Sequence, residues 1–169
     1  MIFKIDRQIM IDNLRIGFGF DAHQIKKGTS MTIGGISIEC DFEIIAHSDG
    51  DVLTHAICDA LLGAAHLGDL GSFVLEDDSS KDISSLKILE DVMNKLRSIN
   101  MEIINIDSTY VGSVPRLEPH KADMETKLAS TLKIDSDRVS CKATTTDGLS
   151  FQGKKEGISA YATVLLKRN

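Results

Sequence analysis

The segment from Ser48 to Leu67 constrains this chain more than any other, because it joins helical periodicity to an almost wholly apolar or small composition. Val52, Ala56, the Leu61-Leu62 pair and Ala65 recur at helical spacing. Ser48 is a good N-cap, Asp51 sits where a capping-box acid belongs, and Asp49 suits the positive end of the helix dipole. Against the apolar background, Asp51, His55 and Asp59 lie at steps of four, which stacks them on one helical face. Such a stripe is either a solvated face or the lining of something cationic, since carboxylates are costly to bury unpaired. The acids are not spread as on an ordinary exposed helix, which favours the cation.

Asp21-Ala22-His23 follows a predicted strand, Leu14 to Phe20, whose glycines weaken it as a strand. Alternation along an extended segment puts Asp21 and His23 on one side. Alone, that tripeptide reads as a turn Asp followed by a surface His. With His55 as third ligand it completes an Asp-His-His set with the fourth position open, the arrangement of a catalytic zinc site. Asp51 or Asp59 is then expected to orient the imidazole from behind.

The other elements are mixed along the chain. Met31 to Ile38 predicts a hairpin bent at Gly34-Gly35, Glu102 to Val111 a strand, and Val139 to Thr145 and Ile158 to Leu166 two strands joined by a Gly- and Lys-rich loop. Ser84 to Asn100 is a second helix with Leu86, Leu89, Met93 and Leu96 inward, and Pro119 opens a third with Met124, Leu128 and Leu132 inward. That mixture predicts an α+β single-domain sandwich, a mixed β-sheet with helices packed on one face. Residues 1–13 are expected to be an N-terminal extension and 14–169 the domain. With 5% aromatic residues and no Trp the core is aliphatic, and a thin domain of this kind invites burial of a sheet edge or face against copies of itself.

A net charge of −6 argues against nucleic acid as partner, yet allows a phosphate-bearing small molecule beside a metal. No apolar run approaches the ~20 residues of a membrane span. The three cysteines, Cys40, Cys58 and Cys141, form no C-x-x-C pair, which fits a reducing, cytoplasmic setting, with organellar import as the alternative.

Three further segments read as substrate contacts. His47-Ser48 precedes the first helix, where free N–H groups favour phosphate. Lys142-Ala-Thr-Thr-Thr-Asp147-Gly148 offers hydroxyls and a carboxylate suited to a diphosphate with Mg²⁺ or Mn²⁺, although taken alone it reads rather as a threonine-rich strand entering an Asp-Gly turn. Pro115-Arg116-Leu117-Glu118-Pro119 is an irregular loop able to hold a ring by its backbone. Gly17-Phe18-Gly19 lacks the third glycine and the following helix of a dinucleotide site, His66 and His120 stand alone, and no nucleophile elbow exists.

Ser48-Asp-Gly-Asp-Val-Leu-Thr-His55-Ala-Ile-Cys-Asp59-Ala-Leu-Leu-Gly63-Ala resembles the signature of the 2-C-methyl-D-erythritol 2,4-cyclodiphosphate synthase family. Arg15 to His23, Ile33-Gly-Gly, Ala46-His47-Ser48, Gly68-Asp69-Leu-Gly71, Lys142-Ala-Thr-Thr-Thr and Glu156-Gly157-Ile158 follow in family order, so the resemblance covers about Leu14 to Lys167. It implies a lyase of non-mevalonate isoprenoid synthesis that cyclises 4-diphosphocytidyl-2-C-methyl-D-erythritol 2-phosphate and expels CMP. It also implies a homotrimer with active sites between subunits.

By the same resemblance, zinc or another divalent transition metal sits on Asp21, His23 and His55, and Asp147 serves a second ion, Mg²⁺ or Mn²⁺. His47 and Thr145 match the positions credited with transition-state stabilisation. Gly112, Pro115, Arg116, Leu117 and Glu118 match the cytosine-binding loop, and Asp69, Leu70 and Gly71 the erythritol contacts. Ser48, Thr144, Thr146, Phe151 and Lys154 count among the substrate-binding positions, as do Val74, Glu76 and Asp78 after the site helix. Four departures accompany the match. Val74-Leu-Glu-Asp-Asp78 replaces a usual Phe-Pro-Asp-x-Asp stretch, and Asp147 stands where Glu is usual. Lys154 replaces an Arg, losing its bidentate fork, and Tyr161 stands where an acid often partners that Arg. A zinc-dependent phosphohydrolase and a non-catalytic isoprenoid-phosphate-binding trimer are the competing readings.

Overall fold

The computed structural model describes residues 13–46, 48–74 and 83–169. The expected N-terminal extension therefore lies outside the described residues apart from Asn13, as do His47, Glu76 and Asp78.

The first strand, β1 (Leu14–Lys27), runs well past its predicted end at Phe20. It is held on one side by β7 (Gly157–Arg168), from Leu14 opposite Lys167 to Gln24 opposite Gly157, and on the other by β4 (Phe42–Ile45). Asp21 and His23 are consequently mid-strand residues with fixed direction, rather than residues of a strand end. Strand β5 (Met101–Val111) pairs antiparallel with β7, and β6 (Val139–Thr144) pairs parallel with β5. The sheet is mixed, five-stranded and ordered β4-β1-β7-β5-β6, as the α+β reading expects.

Gly17, Gly19, Asp21, His23 and Ile25 share one face of β1, and the long helix α1 (Val52–Ala64) lies on it. A Cβ built on Gly17 would stand 1.9 Å from the Ala60 carbonyl oxygen, and one on Gly19 2.1 Å from that of Ala56. The glycines that weaken the strand propensity thus let helix backbone rest directly on strand backbone. Every residue of α1 except Asp59 and Gly63 is buried, so the apolar circumference inferred from sequence has its physical cause in a central position.

The start of α1 corrects the expected cap. Asp51, not Ser48, is the N-cap, and the helix ends at Ala64 instead of Leu67. The fully buried Asp51 carboxylate accepts N–H bonds from Thr54 (3.0 Å), Gly34 (2.8 Å) and Gly35 (2.6 Å), and the Thr54 hydroxyl at 2.6 Å. Burial raises its pKa, and those four hydrogen bonds act in the opposite sense. Gly34 and Gly35 have φ of 60° and 74°, the left-handed conformation that a two-residue hairpin turn between β2 (Ser30–Ile33) and β3 (Ile36–Glu39) demands. Asp51 therefore fastens the hairpin to the helix.

The short helix α2 (Leu70–Phe73) follows α1, and α3 (Ser85–Ser98) turns Ile88, Leu89, Val92, Met93 and Leu96 inward, with Leu86 only half-buried. Pro119 lies in a 3₁₀ turn, Glu118–His120, and α4 (Lys121–Leu132) begins after it with Met124, Leu128 and Leu132 buried as expected. The predicted Gly/Lys-rich loop before β7 contains a further short helix, α5 (Ser150–Gly153). On the sheet face away from α1, Ile16 (74%), Phe18 (63%) and Phe20 (48%) are exposed, with Tyr161 packed 5.0 Å from Phe20. Among the described residues no helix is long and apolar enough to cross a membrane.

Gly19→Ala is expected to lower stability by about 1–3 kcal/mol, the usual cost of forcing a methyl into a packed site. Gly63→Ala, where nothing lies within 4 Å of the added Cβ, is expected to raise it by about 0.5–1 kcal/mol through helix propensity. Urea unfolding of both variants checks the sign as well as the size.

Candidate metal-centred active site

Three donors converge where β1 meets α1. Asp21 Oδ2 lies 3.0 Å from His23 Nε2 and 2.9 Å from His55 Nδ1, and the two ring nitrogens are 3.4 Å apart. Strand alternation supplies Asp21 and His23, and the backbone contact at Gly19 brings the adjacent turn of α1, with His55, down to them. The other carboxylate oxygen, Asp21 Oδ1, accepts the Ala22 N–H at 2.8 Å, which turns Oδ2 toward the histidines.

These spacings fit a metal. Bonds of ~2.0–2.1 Å in a tetrahedral site imply ligand atoms about 3.3 Å apart. One carboxylate oxygen and two imidazole nitrogens, all within 4.8 Å of one another, are the donors that suit a divalent transition ion. The electrostatics agree. Burial works to raise the pKa of Asp21, but hydrogen bonds from both imidazoles and their charge hold its carboxyl far below the ordinary range. Burial works to lower the pKa of His55, and Asp21, joined by the charges of Asp51 and Asp49, raises it on balance. The pocket therefore favours positive charge at its centre.

The expected second contacts of His55 need correction. Asp51 is committed to the hairpin, and Asp59 accepts the Leu70 N–H at 3.2 Å, tying α2 to α1. His55 Nε2 instead meets the hydroxyl of Ser85 at 2.8 Å. Ser85 opens α3, thirty residues further along the chain, and only its position beside Ser84 at a helix start was visible in the sequence. No local spacing marks that contact.

A cleft of about 450 Å³ opens over the triad. Ser48, Asp69, Leu70, Gly71 and Val74 line it, together with Asp59 and apolar Phe20, Ile45, Ile83 and Ile88. Asp69 caps α2 through a reciprocal pair of bonds with Ser72, and hydrogen bonds from the Ser72 side chain and backbone to its carboxylate lower its pKa. The walls thus offer a carboxylate edge and an apolar side to a small ligand.

The remaining predicted contacts lie elsewhere in the chain. Gly112, Pro115, Arg116, Leu117 and Glu118 follow β5, while Thr144 ends β6 and Thr145, Thr146 and Asp147 follow it, and a Gly112 N–H to Thr144 C=O bond of 3.1 Å ties the start of the first loop to the end of β6. Val111 stands opposite Ser159 and His23 opposite Ile158, so both groups occupy the same end of the sheet. Strand spacing nevertheless separates β1 from β5 by roughly 10 Å and from β6 by about 15 Å. At the tip, Thr145 Oγ1 lies 3.2 Å from Asp147 Oδ1, and both residues are outside the triad's cleft, as are Phe151 and the exposed Lys154.

The YgbB family profile matches residues 14–167. The 2-C-methyl-D-erythritol 2,4-cyclodiphosphate synthase of Syntrophomonas wolfei is 47% identical over 156 residues, 92% of this chain and 99% of that protein. Among solved structures, the bifunctional IspDF of Campylobacter jejuni superposes with a TM-score of 0.88 at 39% identity, covering 92% of this chain and 42% of the larger one. The Plasmodium falciparum IspF in its CDP complex gives 0.83 at 29% identity, covering 93% and 98%.

His55→Ala is expected to abolish stoichiometric metal binding while leaving the far-ultraviolet circular dichroism unchanged, because packing of α1 on β1 rests on glycine and alanine contacts. Metal analysis of the dialysed variant checks this, and retained metal would remove His55 from the site.

Proposed function

The chain belongs to the YgbB family, and we propose that it cyclises 4-diphosphocytidyl-2-C-methyl-D-erythritol 2-phosphate to 2-C-methyl-D-erythritol 2,4-cyclodiphosphate with release of CMP. The reaction is a lyase step of non-mevalonate isoprenoid synthesis. The observation that carries this reading is the Asp21–His23–His55 triad, set in a cleft beside Asp69–Gly71, in a chain 47% identical to a synthase of that name along nearly its whole length.

In the reaction, an oxygen of the 2-phosphate attacks the β-phosphorus in line, the β-phosphorus–oxygen bond to the α-phosphate breaks, and CMP leaves with the bridging oxygen. Little covalent work falls to the protein, so positioning and charge compensation dominate. Zinc, when bound by Asp21, His23 and His55, supplies a Lewis acid that orients and polarises the β-phosphate. Ser48 and the Asp69–Gly71 wall would hold the erythritol phosphate end of the substrate in the cleft. Thr144, Thr145 and Thr146 would hydrogen-bond the diphosphate, with Thr145, like His47, placed to stabilise its transition state. Asp147 would bring Mg²⁺ or Mn²⁺ to the diphosphate, and the Gly112–Glu118 loop would enclose the cytosine. Val74, Glu76, Asp78, Phe151 and Lys154 complete the proposed substrate contacts.

Two observations support a homotrimer with the site shared between neighbours. The triad and the threonine loop stand roughly 10–15 Å apart in one chain, so one small substrate is better served by a neighbouring copy's loop. The open sheet face carries Ile16, Phe18, Phe20 and Tyr161, a contiguous apolar patch of the kind that marks an interface.

Incubation of the zinc- and Mg²⁺-loaded protein with the cytidyl substrate is expected to yield CMP and the cyclic product in equal amounts. A linear phosphate carrying solvent oxygen would instead identify a hydrolase, and tight binding without turnover a carrier. Phe18→Glu is expected to shift the sedimenting species from trimer toward monomer and to lower kcat at least tenfold while zinc content per chain is kept. A fully active monomer would refute the shared site.

A further inference from the structure

We infer that Asp49 and Ser85 form a positioning relay that fixes the tautomer and orientation in which His55 ligates the metal, an inference that rests on the metal reading of the triad. The Asp49 carboxylate grips Ser85 twice, accepting its hydroxyl through Oδ1 and its backbone N–H through Oδ2 at 2.9 Å. A serine hydroxyl owns one hydrogen, and an ionised carboxylate only accepts. With that hydrogen directed at Asp49, Ser85 Oγ has only lone pairs to offer His55 Nε2, 2.8 Å away. Nε2 must therefore carry the ring proton. In the neutral imidazole Nδ1 is then the bare nitrogen, and Nδ1 is the atom that faces Asp21 Oδ2 at 2.9 Å and His23 Nε2 at 3.4 Å.

The geometry leaves the ring little choice. Ser85 is fully buried and His55 is 7% exposed, so water does not compete readily for Nε2. Among the described residues, the ring meets Asp21 and His23 from β1 at Nδ1 and Ser85 from α3 at Nε2, with Asp49 behind Ser85. Neither acid of the helical stripe hydrogen-bonds it: Asp51 serves the hairpin and Thr54 and acts on the ring only through its charge, while Asp59 serves Leu70. Metal-bound histidines ordinarily donate their second nitrogen to a carboxylate, carbonyl or water, and loss of that partner weakens metal binding. Here a serine hydroxyl stands between the ring and the carboxylate. A plain structural clasp, Asp49 closing the first turn of α3, would also explain the Asp49 contacts, but it would leave the His55 tautomer indifferent to Ser85.

The test uses zinc itself, followed by competition with a chromophoric chelator, on the full chain. Ser85→Ala and Asp49→Asn are expected to weaken zinc binding ~10–100-fold, with Ser85→Thr, which keeps the hydroxyl, close to the parent protein. Affinity unchanged in Ser85→Ala, while the parent binds zinc tightly, overturns the relay and leaves the metal reading standing. A parent protein that binds no zinc overturns both. Should the substitutions unfold α3, long-range ¹H–¹⁵N spectra of the zinc-loaded parent decide the question. A protonated His55 Nε2 with Nδ1 on the metal is expected, and the reverse assignment overturns the proposal.

Discussion

Everything in this site depends on how closely one helix can approach one strand. Side chains normally hold a helix well off a sheet, and at such a distance a histidine on α1 would not meet a carboxylate on β1. Gly17 and Gly19 remove the strand's side chains, and Ala56, Ala60 and Ala64 answer with small ones, so the helix carbonyls sit where a Cβ would otherwise be. Hydrophobic burial then drives an almost wholly apolar α1 onto that surface, with no need for the polar residues to assemble themselves. Asp21, two residues beyond Gly19 on the same face, meets His55 as a consequence of packing. The metal donors are thus preorganised by backbone contact, the most rigid support available to a site.

The close packing also explains why the acids near α1 have separate duties. Asp51 is fully buried and is compensated by four donors from the hairpin turn and the first helical turn. Asp59 is spent on the N–H of Leu70 and so sets where the cleft wall begins. Asp49 holds the first residue of α3. A stripe of like charges that would be prohibitive as a unit is divided among separate donor sets, leaving the positive centre of the triad to Asp21.

Much of this was legible in the sequence, and the boundary of legibility is physical. Alternation in β1 and the four-residue step on α1 are short-range regularities, so the shared face of Asp21 and His23 and the ligating candidate His55 could be read without coordinates. The hairpin at Gly34-Gly35 was equally legible, because positive φ at consecutive positions nearly requires glycine. The N-cap was misplaced to Ser48 because the true cap, Asp51, is selected by a hairpin seventeen residues earlier. Strand β4 was missed because four half-exposed residues carry little pattern until β1 pairs with them. Ser85 was invisible as a contact of His55 since only the docking of α3 brings it there.

The open face of the sheet and the closed one follow from the same alternation, and this links the metal centre to assembly. In β1 the residues that alternate with the glycines are Ile16, Phe18 and Phe20, so the strand that brings α1 against one side presents large apolar groups on the other. A water-facing strand would carry polar residues there. Tyr161 extends the patch onto β7 directly opposite Phe20, and Ala160, one residue away, stands opposite Asp21 on the ligand side. A partner subunit resting on that face would press on a strand whose other face holds the metal ligands, with no flexible element between. Association and ligand geometry are then coupled through a single backbone. In the proposed trimer, contacts that bring a neighbour's threonine loop toward the cleft would also steady the strand that carries Asp21 and His23, without being needed for those residues to meet His55.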